Sequence, residues 1–253
     1  MTHQELKDFL DEKADYYNQP LFIDTDPIQI PHLYTKKEDI EIAGFLAALI
    51  AWGNRKMIIN NANKIMQLMG NNPFDFILNY DHPTDDILNF KHRTLNGEDL
   101  DQIFKSLHHI YHNHGGLESV FSRNNYLSLQ DRISTFKGVF FENEHLARTQ
   151  KHISDPAKGS AAKRINMFLR WMVRKDNKCV DFGLWNSIHT SELSCPLDVH
   201  SGTVARNLTL LKRKQNDRKA LEELDLSLRS FDTNDPVKYD FALFGLGAIE
   251  KFE

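Results

Sequence analysis

Apolar residues recur at helical spacing along most of this chain. Between Ile40 and Trp52 the residues are apolar nearly all round, which predicts a helix that is buried on every side. Between Arg55 and Met69 the apolar residues recur every three or four positions, which predicts a helix with one buried face. Gly53 and Asn54 separate the two segments, so we expect a helix–turn–helix hairpin here.

The same period recurs in five later segments, and the alternating pattern of strands is rare. Thr35, followed three positions later by Glu38, matches a capping box before the buried helix. We expect short extended pieces at 21–23 and 28–30. The chain is thus predicted to be a single all-α domain over residues 1–253. The later predicted helices are 100–112, 127–141, 161–174, 199–211 and 218–231, followed by a last helix that opens at Asp235-Pro236.

Composition is that of an ordinary globular protein, with 41% hydrophobic and 26% charged residues among 253. No apolar run approaches the roughly 20 residues that cross a bilayer, and the N-terminus lacks a signal-peptide pattern. We therefore expect a cytoplasmic protein with no membrane partner. Its two cysteines, Cys179 and Cys195, are too few for a four-cysteine iron–sulfur or zinc site, so we expect no cluster and no cofactor.

Charge is unevenly distributed along the chain. The net charge is −4, but residues 158–219 contain 13 Lys or Arg against 5 Asp or Glu, a balance of +8. The other residues therefore carry −12. One basic segment in an otherwise acidic protein fits a polyanionic partner, although a solvated helix surface has the same pattern.

Two residues in or near this segment carry candidate chemistry. Asp198, in Pro196-Leu197-Asp198-Val199-His200, precedes a predicted helix, where N–H groups would hold its carboxylate ionised. Lys163 follows Gly159-Ser160-Ala161 at another helix start, where the helix dipole opposes its charge. An amine and a carboxylate in one cleft can attack a sugar carbon and stabilise the resulting cation. A simple capping Asp and an exposed Lys are the alternatives.

Several of these segments resemble the helix-hairpin-helix (HhH-GPD) DNA glycosylases. Gly159 to Leu169, GSAAKRINMFL, is similar to the hairpin that ends in the family's catalytic lysine, with Ala161 in place of the second glycine. The Asp198 segment is similar to the family's catalytic aspartate segment, and the 35-position separation from Lys163 is nearest to the archaeal 8-oxoguanine glycosylases. The resemblance covers about 37–70 and 155–250, leaves 75–150 unmatched, and implies a two-lobed all-α fold.

The resemblance also implies a role for each matching residue. Lys163 would form a Schiff base and Asp198 would stabilise the cation, while Met167 and Phe244 would sandwich a flipped base whose edge Asp240 would bind. The function implied is that of a bifunctional DNA glycosylase and AP lyase, acting in base-excision repair on an oxidised purine such as 8-oxoguanine in double-stranded DNA. The expected DNA contacts are Trp52, Asn54, Arg55, Lys158, Gly159, Arg164, Arg170, His200 and Arg206.

Three other interpretations arise from the sequence. The segments WGNRK (52–56) and PVKYDFALFGLG (236–247) resemble a bacterial family of unknown function, which supplies no activity. A non-catalytic nucleic-acid-binding protein of the same fold would use Lys163 only as a phosphate contact. A metal-dependent all-α hydrolase would use the histidines of LHHIYHNH, where one helical turn separates two of them. These histidines are His108, His109, His112 and His114.

Overall fold

The computed structural model describes residues 1–252 and is mostly helical, which confirms the all-α prediction. Two-residue strands β1 (Lys91–His92) and β2 (Leu95–Asn96) form an antiparallel hairpin that the sequence pattern did not predict. In chain order, the α-helices are α1 (His3–Tyr17), α2 (Lys37–Leu49), α3 (Arg55–Leu68), α4 (Pro73–Leu78), α5 (Asp85–Leu88), α6 (Gly97–Asn113), α7 (Leu117–Ser122), α8 (Leu129–Phe140), α9 (Lys163–Val173), α10 (Val199–Asn207), α11 (Arg218–Phe231) and α12 (Tyr239–Phe244), and a π-helical turn at Gly245–Ile249 follows α12.

Short 3-10 turns occupy the two segments that were expected to be extended. The segment 21–23 lies within the turn Pro20–Thr25, and 28–30 begins within the turn Pro27–Gln29. Proline fixes φ near −65°, which suits the first position of a helical turn. Asp26 then caps the second turn, because its Oδ1 accepts the N–H of Ile28 at 3.0 Å. The prediction of extended structure in both segments is therefore wrong.

The predicted hairpin of two helices is confirmed as α2 and α3. Gly53 between them has a φ of 106°, which a residue with a side chain rarely adopts. Asn54 caps α3 by accepting the N–H of Met57 at 3.2 Å. At the other end, α2 begins after Lys36, whose side chain makes no capping hydrogen bond, so the capping box predicted at Thr35 is wrong.

The chain divides into two compact units, of which one is the continuous segment Thr25–Ser154. This unit contains α2 to α8 and the β-hairpin. Every residue of α2 from Asp39 to Leu49 is buried, as its continuous apolar sequence predicts. The ring of Phe45 lies with its centroid 5.7 Å from those of Phe136 and Phe140, so α2 shares an aromatic core with α8.

The other unit combines Met1–Asp24 with the chain from Asp155 onward. Helix α1, which the sequence pattern did not predict, packs along α12 in this unit. The contact is so close at Gly245 that an added Cβ would lie 2.2 Å from the ring of Tyr17. Apolar residues of α1, α10, α11 and α12 then share one core, which includes Leu10, Ala14, Val204, Ala205, Leu221, Leu224, Leu228, Ala242 and Leu243.

Helix α9 also belongs to this unit, and all of its residues from Ile165 to Val173 are buried. The buried polar side chain of Asn166 is satisfied, because its Nδ2 donates to the carbonyl of Ala161 at 2.9 Å.

Membrane spans need a longer apolar helix than any found within residues 1–252.

Candidate active site

Asp198 is the N-cap residue of α10, as its position before the helix predicts. Its Oδ1 accepts the N–H groups of His200 at 2.8 Å and Ser201 at 3.0 Å. The N–H of Asp198 donates in turn to Ser201 Oγ at 2.9 Å, which completes a capping box. One carboxylate oxygen is therefore held by the helix, and this fixes the direction of the other.

Lys163 is the first residue of α9, and a tight hairpin precedes it. Gly159 and Ala162 have φ values of 87° and 45°, so the left-handed backbone falls at Ala162 and not at Ala161, which stands at the family's second glycine. Ser160 stabilises this hairpin, because its Oγ accepts the N–H of Ala162 at 3.1 Å. The element before the hairpin is a 3-10 turn, Pro156–Lys158. The resemblance to helix-hairpin-helix proteins implies an α-helix at this position.

The structure brings the predicted pair together. Lys163 Nζ lies 3.6 Å from Asp198 Oδ2, the carboxylate oxygen that the α10 backbone does not hold. The two side chains are 29% and 25% exposed, so a ligand can reach both. The starts of α9 and α10, 35 positions apart, therefore present an amine and a carboxylate to each other at the surface of one unit.

A chain of buried ion pairs contains Asp240, which lies close enough to the surface pair to interact with its charges. Arg170 on α9 binds Asp240 through Nη1 and Asp181 through Nε, the latter at 3.2 Å. Burial raises the pKa of Asp240 to about 6, although the charges of Arg170 and Lys163 oppose the shift. The carboxyl of Asp240 is thus electrostatically coupled to Lys163.

Two predicted roles need correction because of these ion pairs. Arg170 is only 3% exposed and binds two carboxylates, so its predicted contact with a DNA phosphate is wrong. Asp240 is 6% exposed, with Oδ2 on Arg170 and Oδ1 accepting the Cys195 thiol at 3.7 Å. Its predicted hydrogen bond to a base edge is therefore wrong for this conformation, since both carboxylate oxygens are already engaged inside the protein.

Residues from other elements hold the segment that leads into Asp198, and sequence reasoning missed them. Asp225 on α11 accepts the N–H of Cys195 at 3.0 Å, and Asn216 donates to the carbonyl of Asp198 at 2.7 Å. Arg206, predicted to bind phosphate, instead binds Asn216 Oδ1 through Nη2 and the carbonyl of Arg213 through Nε. The N-cap position of Asp198 was predictable from the sequence, whereas its capping box with Ser201 and these contacts between distant segments were not.

The other residues of this unit that were predicted to contact the base or the DNA backbone differ in their exposure to solvent. Met167 is buried one helical turn after Lys163, and the half-buried Phe244 meets the ring of Phe22 edge-on at 6.0 Å. Arg164 is half-buried, and desolvation lowers its pKa to about 10. The stacking and phosphate-binding roles of these residues stay predictions. Lys158, Gly159 and His200 are exposed.

Three predicted DNA contacts lie in the unit Thr25–Ser154. The half-buried ring of Trp52 meets His92 edge-on at 4.9 Å and stacks on His152 at 6.1 Å. Asn54 is occupied as the cap of α3, and Arg55 is the half-buried first residue of that helix. Insertion of these residues into DNA stays a prediction.

The histidine-rich segment of this unit brings together a different set from the pair one helical turn apart. The rings of His108 and His112 are neighbours, with centroids 4.2 Å apart, but His112 Nε2 donates to the carbonyl of Leu78. The side chains whose potential metal-binding atoms converge are those of His109, His114 and Glu142. These three atoms all lie within 4.8 Å of one another.

Fold and site together define a mostly helical protein in which two helix starts present a lysine–aspartate pair. Comparison with protein families shows that the chain belongs to the family described as "Protein of unknown function (DUF2400)", whose model matches residues 26–249. Neither the curated proteins nor the solved structures contain a match to this chain.

Proposed function

We propose that the protein is a DNA glycosylase with AP lyase activity and a helix-hairpin-helix glycosylase-like fold. The single observation that carries the proposal is the 3.6 Å approach of Lys163 Nζ to Asp198 Oδ2. Amine nucleophiles form Schiff bases with sugar carbons, and a fixed carboxylate stabilises the positive charge that develops. The partner is double-stranded DNA with a damaged base, and an oxidised purine such as 8-oxoguanine is the proposed lesion.

The reaction begins when the neutral amine of Lys163 attacks C1′ of the flipped nucleotide. A nitrogen–carbon bond forms, the glycosidic bond breaks, and the base departs with the electron pair and takes up a proton. Asp198 stabilises the cation-like sugar and accepts the proton that the lysine nitrogen loses. The sugar ring then opens to a Schiff base, from which β-elimination releases the 3′ phosphate.

The surroundings of the pair support this chemistry. Asp198 does not move freely, because two backbone N–H groups and the capping box fix its carboxylate. A fixed group pays no reorganisation cost when charge develops in the transition state. Met167 lies one turn after Lys163 on α9, where we propose that it stacks on the base opposite Phe244. The phosphates would be bound by Lys158, Gly159, Arg164 and His200.

Borohydride trapping tests the proposal directly. The full chain is incubated with duplexes that carry 8-oxoguanine, an abasic site or no lesion, and reduction converts a Schiff base into a stable adduct. We expect a lesion-dependent adduct with the unmodified protein and none with Lys163→Gln. Lys219→Gln is the matched control, because Lys219 is exposed at the start of α11 and should leave trapping unchanged.

Two results would overturn the proposal. Undiminished trapping in Lys163→Gln would exclude this lysine as the nucleophile. Salt-sensitive DNA binding without an adduct on any of the three duplexes would favour a non-catalytic nucleic-acid-binding protein. In that case Lys163→Gln would lower the salt dependence of binding by about one phosphate contact and change nothing else.

A further inference from the structure

Three donor atoms converge at one end of α6. His109 lies near the end of that helix, His114 is its C-cap, and Glu142 follows the end of α8. His109 Nε2 and His114 Nε2 lie 2.9 Å and 3.0 Å from the same oxygen, Glu142 Oε2, and 3.1 Å from each other. The three atoms thus form a nearly equilateral triangle.

This triangle is close to one face of a tetrahedral metal site. Zinc binds histidine nitrogen and carboxylate oxygen at about 2.0–2.2 Å, and tetrahedral donors at such distances lie roughly 3.3–3.5 Å apart. The observed separations need to open by only a few tenths of an ångström. Both rings are half-buried and held by helix ends, so the donors are already gathered before any ion arrives.

We propose that His109, His114 and Glu142 form a binding site for one divalent transition-metal ion such as Zn²⁺. Two imidazoles and one carboxylate are a ligand set that suits this class of ion better than Mg²⁺ or Ca²⁺, which prefer oxygen alone. Three protein ligands leave the fourth position for water, and Glu142 is exposed, so that position faces solvent. The site lies wholly within the unit Thr25–Ser154, whereas Lys163 and Asp198 belong to the other unit.

Arg123 opposes the ion in the present arrangement. Its Nη1 donates to His114 Nδ1 at 2.8 Å, and its Nη2 donates to the carbonyl of His114 at 2.7 Å. A neutral histidine that binds metal through Nε2 carries its proton on Nδ1, and a guanidinium cannot accept that proton. Arg123 is exposed, so it can swing away when the ion binds.

Asn113 has no such conflict with the ion. Its side-chain amide lies 2.9 Å from His109 Nδ1, and rotating the amide by half a turn presents the oxygen to that nitrogen. Asn113 therefore supports metal binding by His109, whereas Arg123 acts as a competitor at His114. The structure assigns opposite effects to these two neighbours, which makes the proposal sharper to test.

Metal binding is tested on the full chain after removal of bound metal with a chelator. Zn²⁺ is titrated in competition with a chromophoric chelator, and Co²⁺ absorption then reports whether the geometry is tetrahedral. We expect one ion per chain, and affinity at least tenfold weaker in His109→Ala, His114→Ala and Glu142→Gln. His108→Ala is the matched control on the same helix and should bind as tightly as the unmodified protein.

Arg123→Gln adds a gain-of-affinity arm to the experiment. A glutamine oxygen can accept the Nδ1 proton of His114, so this variant should bind Zn²⁺ several-fold more tightly. Glu142→Gln changes one exposed side chain and preserves its shape, so loss of binding there does not come from unfolding. Equal affinity in Glu142→Gln and the unmodified protein, or equal weakening by His108→Ala, would overturn the proposed site.

Discussion

The carboxylate of Asp198 has a structural role as a helix cap and a proposed chemical role in the reaction. Substitution of this residue can distinguish the two roles. Asparagine caps helices as well as aspartate does, so Asp198→Asn should change the free energy of unfolding by less than about 0.5 kcal/mol. The rate of borohydride trapping should fall by at least about a hundredfold, because the amide neither accepts a proton nor stabilises a cation. Urea unfolding and trapping kinetics on the same preparation measure both effects.

Asp198→Ala supplies the contrast for that prediction. Alanine cannot accept the N–H groups of His200 and Ser201, so stability should fall by about 1 kcal/mol. If Asp198→Asn destabilised the protein as much as Asp198→Ala, the carboxylate charge would matter to the fold itself. If the asparagine variant kept full trapping, the aspartate would be a cap and nothing more.

Asp225, which holds the segment before Asp198, makes the stability of the protein depend on pH. Burial raises the pKa of this carboxyl to about 6, whereas in the unfolded chain it titrates near 3.8. Between those values the folded protein holds a proton that the unfolded chain has lost. The contribution of Asp225 to stability is therefore fully present below about pH 3.8 and is lost as the pH rises to about 6.

Asp225→Asn should remove this dependence. Its amide oxygen still accepts the N–H of Cys195, so the segment keeps its anchor without a titrating group. We expect the variant to lose less stability than the unmodified protein between pH 4 and 6, by up to about 1.4 kcal/mol per pH unit. Urea unfolding at pH 4, 5, 6 and 7 gives the comparison, and parallel curves for both proteins would contradict it.

At the residue scale, the sequence predicted the two exposed residues of the site but not the buried ion pairs next to them. Lys163 and Asp198 could be predicted because the start of a helix has a recognisable local sequence. Asp240 and Arg170 were assigned to DNA because the resemblance to the DNA glycosylases implied those roles. Their partnership across 70 positions depends on tertiary packing, which no local pattern records.

At the scale of the element, the contact between α1 and the turn that follows α12 depends on the absence of one side chain. A Cβ at Gly245 would lie 2.2–2.5 Å from carbon atoms of the Tyr17 ring, and a core ring cannot retreat that far without moving α1. Gly245→Ala should therefore destabilise the protein by about 1–3 kcal/mol. Thermal unfolding, followed by circular dichroism, measures the change.

Gly138 on α8 is the control, because the same substitution there should raise the stability of the protein and not lower it. An added Cβ meets no atom within 4 Å, and the residue is exposed in the last turn of the helix. Gly138→Ala should stabilise the protein by about 0.5–1 kcal/mol, since glycine is the more flexible residue in the unfolded chain. Equal shifts in the two variants would mean that Tyr17 yields to the added methyl group.

Long periodic helices were predictable from the sequence, and short or proline-led elements were not. The helix 218–231 was predicted at its observed bounds, because its apolar positions and its Asp217 cap agree. The β-hairpin at residues 91–96 and the 3-10 turns are too short to express a period. Helix α1 was missed although it contributes Leu10 and Ala14 to a core, because its sequence is mostly polar.

At the scale of the whole molecule, the basic segment 158–219 offers less free charge than its sequence suggests. Arg170 and Arg174 are buried among carboxylates, and Arg213 pairs with Asp217. DNA affinity should therefore depend on a few exposed lysines. Lys158→Gln should lower the slope of log affinity against log salt by about 0.9, the value expected for one phosphate contact on duplex DNA.

Lys7→Gln is the control for that slope. Lys7 already pairs with Asp11 on α1, so its loss should leave the salt dependence of DNA binding unchanged. Fluorescence anisotropy with a labelled duplex at several salt concentrations measures both slopes. An unchanged slope in Lys158→Gln would remove this lysine from the proposed interface.

The unit that holds Lys163 and Asp198 is assembled from two separate stretches of chain, and this sets the order in which it forms. Its α1 leaves the ribosome early, but its partner α12 follows only after the 130 residues of Thr25–Ser154 and most of the later chain. At roughly 5–20 residues per second, α1 waits on the order of ten seconds or longer with its apolar face uncovered. Nascent chains of this protein should therefore be clients of chaperones, and an interrupted translation should yield a folded intervening unit without the lysine–aspartate pair.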